Sequence, residues 1–205
     1  MKVLAVNGSH RPGHNTAAML NMVLDEVKAE GFETELIELY EHEIKLCKSC
    51  NKCLVKPECS IKDDDMPMII DKLLAADAII LGSPVYFGNV SGIMKIFIDR
   101  SRSMHMCKNA LDGKIGAALT HAGLRNGGQE MTQMILERFL QCHGLHVVEA
   151  RDPETGIFNG GPLGTMFDSM AGENIKWKKD VSEDTLTAKT CSSLGKNIVR
   201  LLKQK

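Results

Sequence analysis

Apolar residues along the chain come in short blocks whose spacing switches between a strand period and a helix period. Residues 2 to 6 are a Val- and Leu-rich run that ends in a polar loop from Asn7 to Asn15, which predicts a buried strand entering a turn. From Thr16 the positions Ala17, Leu20, Val23, Leu24 and Val27 recur at helical spacing, and Gly31 is placed to stop that helix. Thr34 to Leu39 sets Glu35 and Glu38 among Leu36, Ile37 and Leu39 and predicts a second strand near a sheet edge. Beyond a loop over 42–65, the acidic Asp63, Asp64 and Asp65 offer negative charge to the N-terminus of a helix carrying Met66, Ile69, Ile70, Leu73 and Leu74. Residues 78–82 are continuously apolar, as in a central strand.

The alternation continues. A polar loop from Ser83 to Gly92 leads to a helix through Ile93, Met94, Ile96, Phe97 and Ile98, then a strand from Lys114 to Thr120. A Gly-rich loop from His121 to Gly128 precedes a helix with Met131, Met134, Ile135, Arg138 and Phe139 on its periodic face, and Leu145 to Glu149 is the fifth strand. Strand and helix thus alternate over most of the chain, which predicts an α/β fold with a doubly wound, five-stranded parallel sheet. From 151 to 180 the pattern gives way to Gly, Pro and Asn, a segment too long for an ordinary connection and expected to be a lid or an intersubunit arm. A closing helix is expected over about 182–203, with Glu183 and Asp184 in its first turn.

Composition narrows the function classes. The 205 residues suit one domain, 1–205. Lys and Arg total 25 against 26 Asp and Glu, so no basic footprint for nucleic acid or an anionic membrane stands out. No apolar run has the length of a signal segment or a spanning helix, which leads us to expect a soluble, cytoplasmic protein with small-molecule or protein partners.

Ligands of such a sheet bind outside the carboxyl ends of its strands. Three polar loops are expected there. The first, with Ser9, Arg11, Asn15 and Thr16, supplies hydroxyls, a guanidinium and helix N-terminal N–H groups suited to a phosphate monoester. It lacks both the nucleotide-triphosphate loop and the dinucleotide fingerprint. The second, Pro84, Val85, Tyr86, Phe87, Gly88 and Asn89, could lay a flat heterocycle against backbone and aromatic atoms. The third offers Thr120, Ala122 and Gly123, whose small size permits close approach, and the nearby His121 is a candidate proton donor or a positioning histidine. A phosphate loop and two planar-ring loops on one edge point together to flavin mononucleotide, FMN.

The remaining chemistry lies in thirteen residues, where Cys47, Cys50, Cys53 and Cys59 follow the spacing C-x2-C-x2-C-x5-C. Thiolates at every third position can face one small volume, as a single [4Fe–4S] cluster requires. A structural zinc site usually draws cysteine pairs from two separate places, and a disulfide is rare in a reducing compartment. Zinc and metal-free thiols stay open as alternatives. Lys45, Lys48, Lys52 and Lys56 surround the run and either offset cluster charge or form a solvated face. Cys107, Cys142 and Cys191 have no ligand spacing and are expected to pack as small hydrophobes.

Together, Gly8-Ser9-x-Arg11, Ser83-Pro84-Val85-Tyr86-x-Gly88-Asn89, Asn126-Gly127-Gly128-Gln129-Glu130 and the cysteine run resemble the iron-sulfur flavoproteins, a branch of the NAD(P)H-dependent FMN reductase group. The resemblance covers about residues 1 to 150. It implies a flavodoxin-like fold, FMN, one four-iron cluster, and a homodimer or homotetramer in which one subunit's cluster lies near another's flavin. It also implies electron passage between a donor, reduced ferredoxin or NAD(P)H, and a small-molecule acceptor. A cluster-free NAD(P)H:FMN or quinone reductase and a flavodoxin-like carrier without its own substrate are the competing functions.

Overall fold

The computed structural model describes residues 1–152, 154–156 and 161–205. The elements in chain order are β1 (Lys2–Asn7), α1 (Asn15–Ala29), β2 (Glu33–Glu38), α2 (Met66–Ala75), β3 (Ala78–Pro84), α3 (Gly92–Arg100), α4 (Arg102–His105), β4 (Ile115–Ala122), α5 (Gln129–Cys142), β5 (His146–Val147), β6 (Leu163–Thr165), β7 (Phe167–Ala171), β8 (Asn174–Trp177) and α6 (Thr185–Leu202). The main sheet runs β2-β1-β3-β4-β5, all parallel, with β2 at an edge as expected.

Successive strand residues point to opposite faces, and both faces are covered. Val3 and Ala5 of β1 pack with Ile80 of β3 and Leu119 of β4 beneath α1 and α6. Leu4 and Val6 face the other way, with Ile79 and Leu81, against α2, α3 and α5. Every residue of β4 is buried. A strand enclosed on both faces has no room for polar side chains except at its ends, so the chain's chemistry is displaced to the loops.

Several expectations are corrected. The fifth strand is only His146–Val147. His121 and Ala122 belong to β4, which runs two residues past the expected strand end at Thr120, and not to the loop after it. On α5 the buried face is Gln129, Thr132, Gln133, Leu136 and Leu140, whereas Met131 and Met134 are exposed by 62% and 67%. Ile135 and Phe139 of the expected face are partly buried against the core, but the two methionines are not, because Gln129 and Gln133, whose amides donate to backbone carbonyls, occupy the inner face with Thr132 and the leucines. Cys191 is buried as expected, but Cys107 and Cys142 are exposed.

The acidic triplet before α2 does more than complement a dipole. Asp65 accepts the Glu43 N–H at 2.8 Å, Asp63 pairs with Lys45 at 2.6 Å, and Asp64 is buried against Arg100. All three therefore fasten the preceding loop. The 151–180 segment is also more ordered than its composition suggests. β6 joins β4 in parallel register, Thr120 opposite Leu163, and β7 and β8 form an antiparallel hairpin; residues 153 and 157–160 lie outside the described residues.

α6 closes the fold over α1, with Asp184 capping it by accepting the Thr187 N–H. A Cβ at Gly195 would lie 2.7 Å from the Val23 carbonyl oxygen and 2.6 Å from the Glu26 Cβ, so a glycine sets the approach of the two helices. Gly195→Ala should therefore cost stability, by about 1–3 kcal/mol of overpacking, despite its better helix propensity. Urea unfolding followed by circular dichroism measures this; an unchanged or raised midpoint would show that the contact yields without cost.

Candidate functional site

The three candidate loops meet at the carboxyl end of the sheet, tied together by backbone and serine contacts. Gly8 N–H donates to the Gly82 carbonyl at 2.8 Å, and Val85 N–H to that of His121 at 2.8 Å. Ser91 is the main tie. Its hydroxyl donates to the Gly8 carbonyl at 2.5 Å and accepts the Met94 N–H at 3.2 Å, while its own N–H donates to Ser83 Oγ at 3.1 Å. One buried serine thus caps α3 and fixes the first loop against the second.

The first loop is shaped by its own polar groups. Ser9 Oγ accepts the Arg11 N–H at 3.1 Å, and Glu38 at the end of β2 receives Asn7 Nδ2 at 2.6 Å and the Gly13 N–H at 3.0 Å. The loop delivers the N-terminus of the fifteen-residue helix α1, whose N-cap His14 makes no side-chain cap. The first N–H groups of such a helix lack intrahelical acceptors and carry the positive end of its dipole. Arg11 is exposed beside them. Asn15 is placed differently from the expectation. Its side chain accepts the Val181 N–H at 3.2 Å and donates toward Met166 Sδ at 3.2 Å, holding the C-terminal arm, so its backbone N–H is the part left to face a ligand.

The second loop is a tight turn. Tyr86 and Asn89 exchange both backbone hydrogen bonds, at 2.9 and 3.0 Å, with Phe87 and Gly88 between them at φ of 53° and 70°. Positive φ at both central positions defines a type I′ turn, which a phenylalanine adopts only at a cost in strain. Its ring is thrown fully into solvent, and Tyr86 is half-exposed. Asn89 Oδ1 accepts the Val90 N–H at 2.8 Å, leaving the amide NH2 to donate outward. Against this turn stands Gly128, at φ of 97°, where an added Cβ would come within 2.9 Å of Gly88 Cα. The second and third loops therefore touch through two glycines, a proximity no side chain would permit.

In the third loop, Gln129 Nε2 donates to the Leu124 carbonyl at 2.9 Å and Thr120 Oγ1 to the Gln129 carbonyl at 3.1 Å. Thr120 is thus buried and positions the loop, while Gly123 faces solvent and Ala122 sits just beneath. His121 is buried too, and that burial, with Arg11 nearby, pushes it down to about 4. Near neutral pH its ring carries no charge, which favours the positioning role over that of an imidazolium acid.

The cysteine loop folds beside the end of α3. Cys47, Cys50, Cys53 and Cys59 line one recess, whose far wall is Arg100 and Arg102. Ser49 and Asn51, on either side of Cys50, have φ of 49° and 59°. Such left-handed turns gather backbone N–H groups into anion-binding concavities. The Ser60 hydroxyl, 3.1 Å from Cys50 Sγ, and the Lys52 N–H lower the Cys50 thiol below its ordinary value. Among the described residues no three His, Cys, Asp or Glu side chains converge as a single metal ion would require.

Sequence reasoning missed Ser91, Glu38 and Arg100. Ser91 carried a signal, a serine before a helix, which is the usual N-cap position. Arg100 carried none, since an arginine in a last helical turn is ordinarily an exposed partner of the dipole.

Comparison with known proteins fits this geometry. The sequence model of the NADPH-dependent FMN reductase family matches residues 1–153. An iron-sulfur flavoprotein of Methanocaldococcus jannaschii is 37% identical over 203 residues, covering 99% of this chain and 98% of that protein. An iron-sulfur flavoprotein of Archaeoglobus fulgidus is 38% identical, covering 98% and 95%. Among solved structures, a flavodoxin from the domain Archaea superposes with a TM-score of 0.58 at 20% identity, covering 99% of both chains, a likeness of fold. No helix among the described residues is long and apolar enough to cross a membrane. The chain belongs to the NADPH-dependent FMN reductase family, among the iron-sulfur flavoproteins, and is a flavin-dependent oxidoreductase.

Proposed function

We propose that the chain holds FMN across its three loops and one [4Fe–4S] cluster on Cys47, Cys50, Cys53 and Cys59, and passes electrons between reduced ferredoxin or NAD(P)H and a small-molecule acceptor. The observation that carries this reading is the recess: four cysteines spread over thirteen residues line a single small volume on a chain of a flavin-dependent family. A structural zinc site usually draws its cysteine pairs from two separate places, whereas these four thiols come from one continuous loop, which suits a cluster better. FMN exchanges a hydride or single electrons and a cluster one electron at a time, so the pair converts between two-electron and one-electron partners.

The chain's own residues bind and orient. Ser9, Arg11, Thr16 and the first N–H groups of α1 would hold the phosphate, with Asn15 contributing its backbone. Pro84 to Asn89, with Ala122 and Gly123, would form the walls of the ring site, Tyr86 giving an apolar face and the Asn89 amide an edge donor. Met131 and Met134 on α5 are exposed, with Met131 against Gly88 of the second loop, and they present an apolar surface of the kind that oligomers cover. This supports the homodimer or homotetramer that the family resemblance implies. The reading also includes a cytoplasmic setting and no nucleic-acid or membrane partner.

Two variants test the halves separately. Cys50→Ala, purified without oxygen, should lose iron and acid-labile sulfide and keep its flavin; unchanged iron content would remove Cys50 from the ligand set. Arg11→Glu should weaken FMN binding about tenfold or more, through repulsion of the phosphate and a lost charged hydrogen bond, as read by flavin fluorescence titration. Unaltered affinity would show that the first loop does not hold the phosphate.

A further inference from the structure

Arg100 is the largest fully buried side chain of the chain's described residues, and it stands where the cysteine loop meets the sheet. Four of its contacts have a clear structural purpose. Nη1 donates to the Lys45 carbonyl at 2.8 Å and to Asp64 Oδ2; Nη2 donates to the Ile61 carbonyl at 3.3 Å and to Asp64 Oδ1 at 3.2 Å. Lys45 lies just before the first cysteine and Ile61 just after the last, so one guanidinium holds both ends of the loop. The fifth donor differs. Nε–H is buried and makes no hydrogen bond of good geometry, although the guanidinium also acts on the neighbouring Cys59 thiol, a weak acceptor; a buried donor left in that state is costly.

Structure alone does not explain that arrangement. A buried ion pair adds little stability over apolar residues of similar volume. A group that leaves a donor unsatisfied beside a ligand recess points to an acceptor that arrives with the ligand. The recess wall formed by Arg100 is shared with all four cysteines. Burial opposes the charge on Arg100, but the hydrogen bonds it donates to the Asp64 carboxylate, with the neighbouring Cys59 sulfur, outweigh it, so the guanidinium stays charged.

We propose that Arg100 is a positioning and tuning residue of the metal site, its Nε–H held for a sulfur of the bound iron-sulfur group on the Cys59 side. This rests on the cluster reading given above. A donor and a positive charge beside the sulfurs stabilise the more negative, reduced state, so Arg100 would raise the reduction potential of the centre. Arg102, which also lines the recess, already donates Nη2 to Asn51 Oδ1 at 3.0 Å and is not assigned this role.

The test uses full-length protein purified without oxygen, grown with 15N-labelled arginine, reduced, and examined by pulsed electron paramagnetic resonance. The expected result is a 15N coupling to the cluster spin that persists in Arg102→Lys and disappears in Arg100→Lys. A lysine keeps the charge opposite Asp64 but lacks Nε–H and the planar fork. In a potentiometric titration Arg100→Lys should also show a more negative cluster midpoint. A cluster with no 15N coupling in the unsubstituted protein overturns the proposal, as does a coupling lost in Arg102→Lys instead. An unshifted midpoint with reduced iron content assigns Arg100 to loop structure alone and overturns it too. Should Arg100→Lys fail to load, the spectra of the unsubstituted protein and of Arg102→Lys decide. Unsubstituted protein without iron defeats the cluster reading itself, a separate and visible failure.

Discussion

Burial of the sheet on both faces is the constraint from which the rest follows. β1, β3 and β4 carry small and branched apolar residues on both sides because α1 and α6 cover one face and α2, α3 and α5 the other. Polar groups are then tolerated only at strand ends, where their backbone partners are free. Parallel strands joined by helices send every strand-to-helix loop to the same edge. The convergence of the three candidate loops is therefore a consequence of topology. Only its fine adjustment is local: the Ser91 hydrogen bonds and the contact between Gly88 and Gly128.

The cysteine loop is grafted onto this scaffold through α3. That helix starts at the Ser91 cap, among the candidate flavin loops, and ends at Arg100, which grips both roots of the cysteine loop. Nine helical residues span about 14 Å. One short, rigid element thus separates the two candidate cofactor sites within the chain and fixes their relation. The aspartates before α2 complete the graft, Asp65 holding the Glu43 N–H and Asp63 and Asp64 both holding Lys45.

The alternating pattern made the sheet, the edge position of β2 and the place of the loops legible in the sequence, because buried parallel strands are continuous apolar runs and loops are marked by Gly, Pro and Asn. What escaped were interactions between residues far apart in the chain. Arg100 and Asp64 each look like surface charges until the fold buries them together. Met131 and Met134 followed the apolar period of α5, yet the fold turns inward Gln129 and Gln133, whose amides donate to the Leu124 and Ala118 carbonyls. Asn15 was legible as a polar residue at a helix start, and its service to the C-terminal arm was not, since Val181 lies on the far side of the sequence. The arm lacked a recognisable period because β6 has only three residues and β7 and β8 are largely exposed.

The central claim is that flavin and cluster are both redox-active in a single chain. Counting electrons tests it most directly. Anaerobic titration of the purified protein with dithionite, followed by its absorbance, should consume about three electron equivalents per chain, two for FMN and one for the cluster. Saturation at about two equivalents, with only the flavin bands bleaching, would contradict the account and leave the cysteine loop without a cluster.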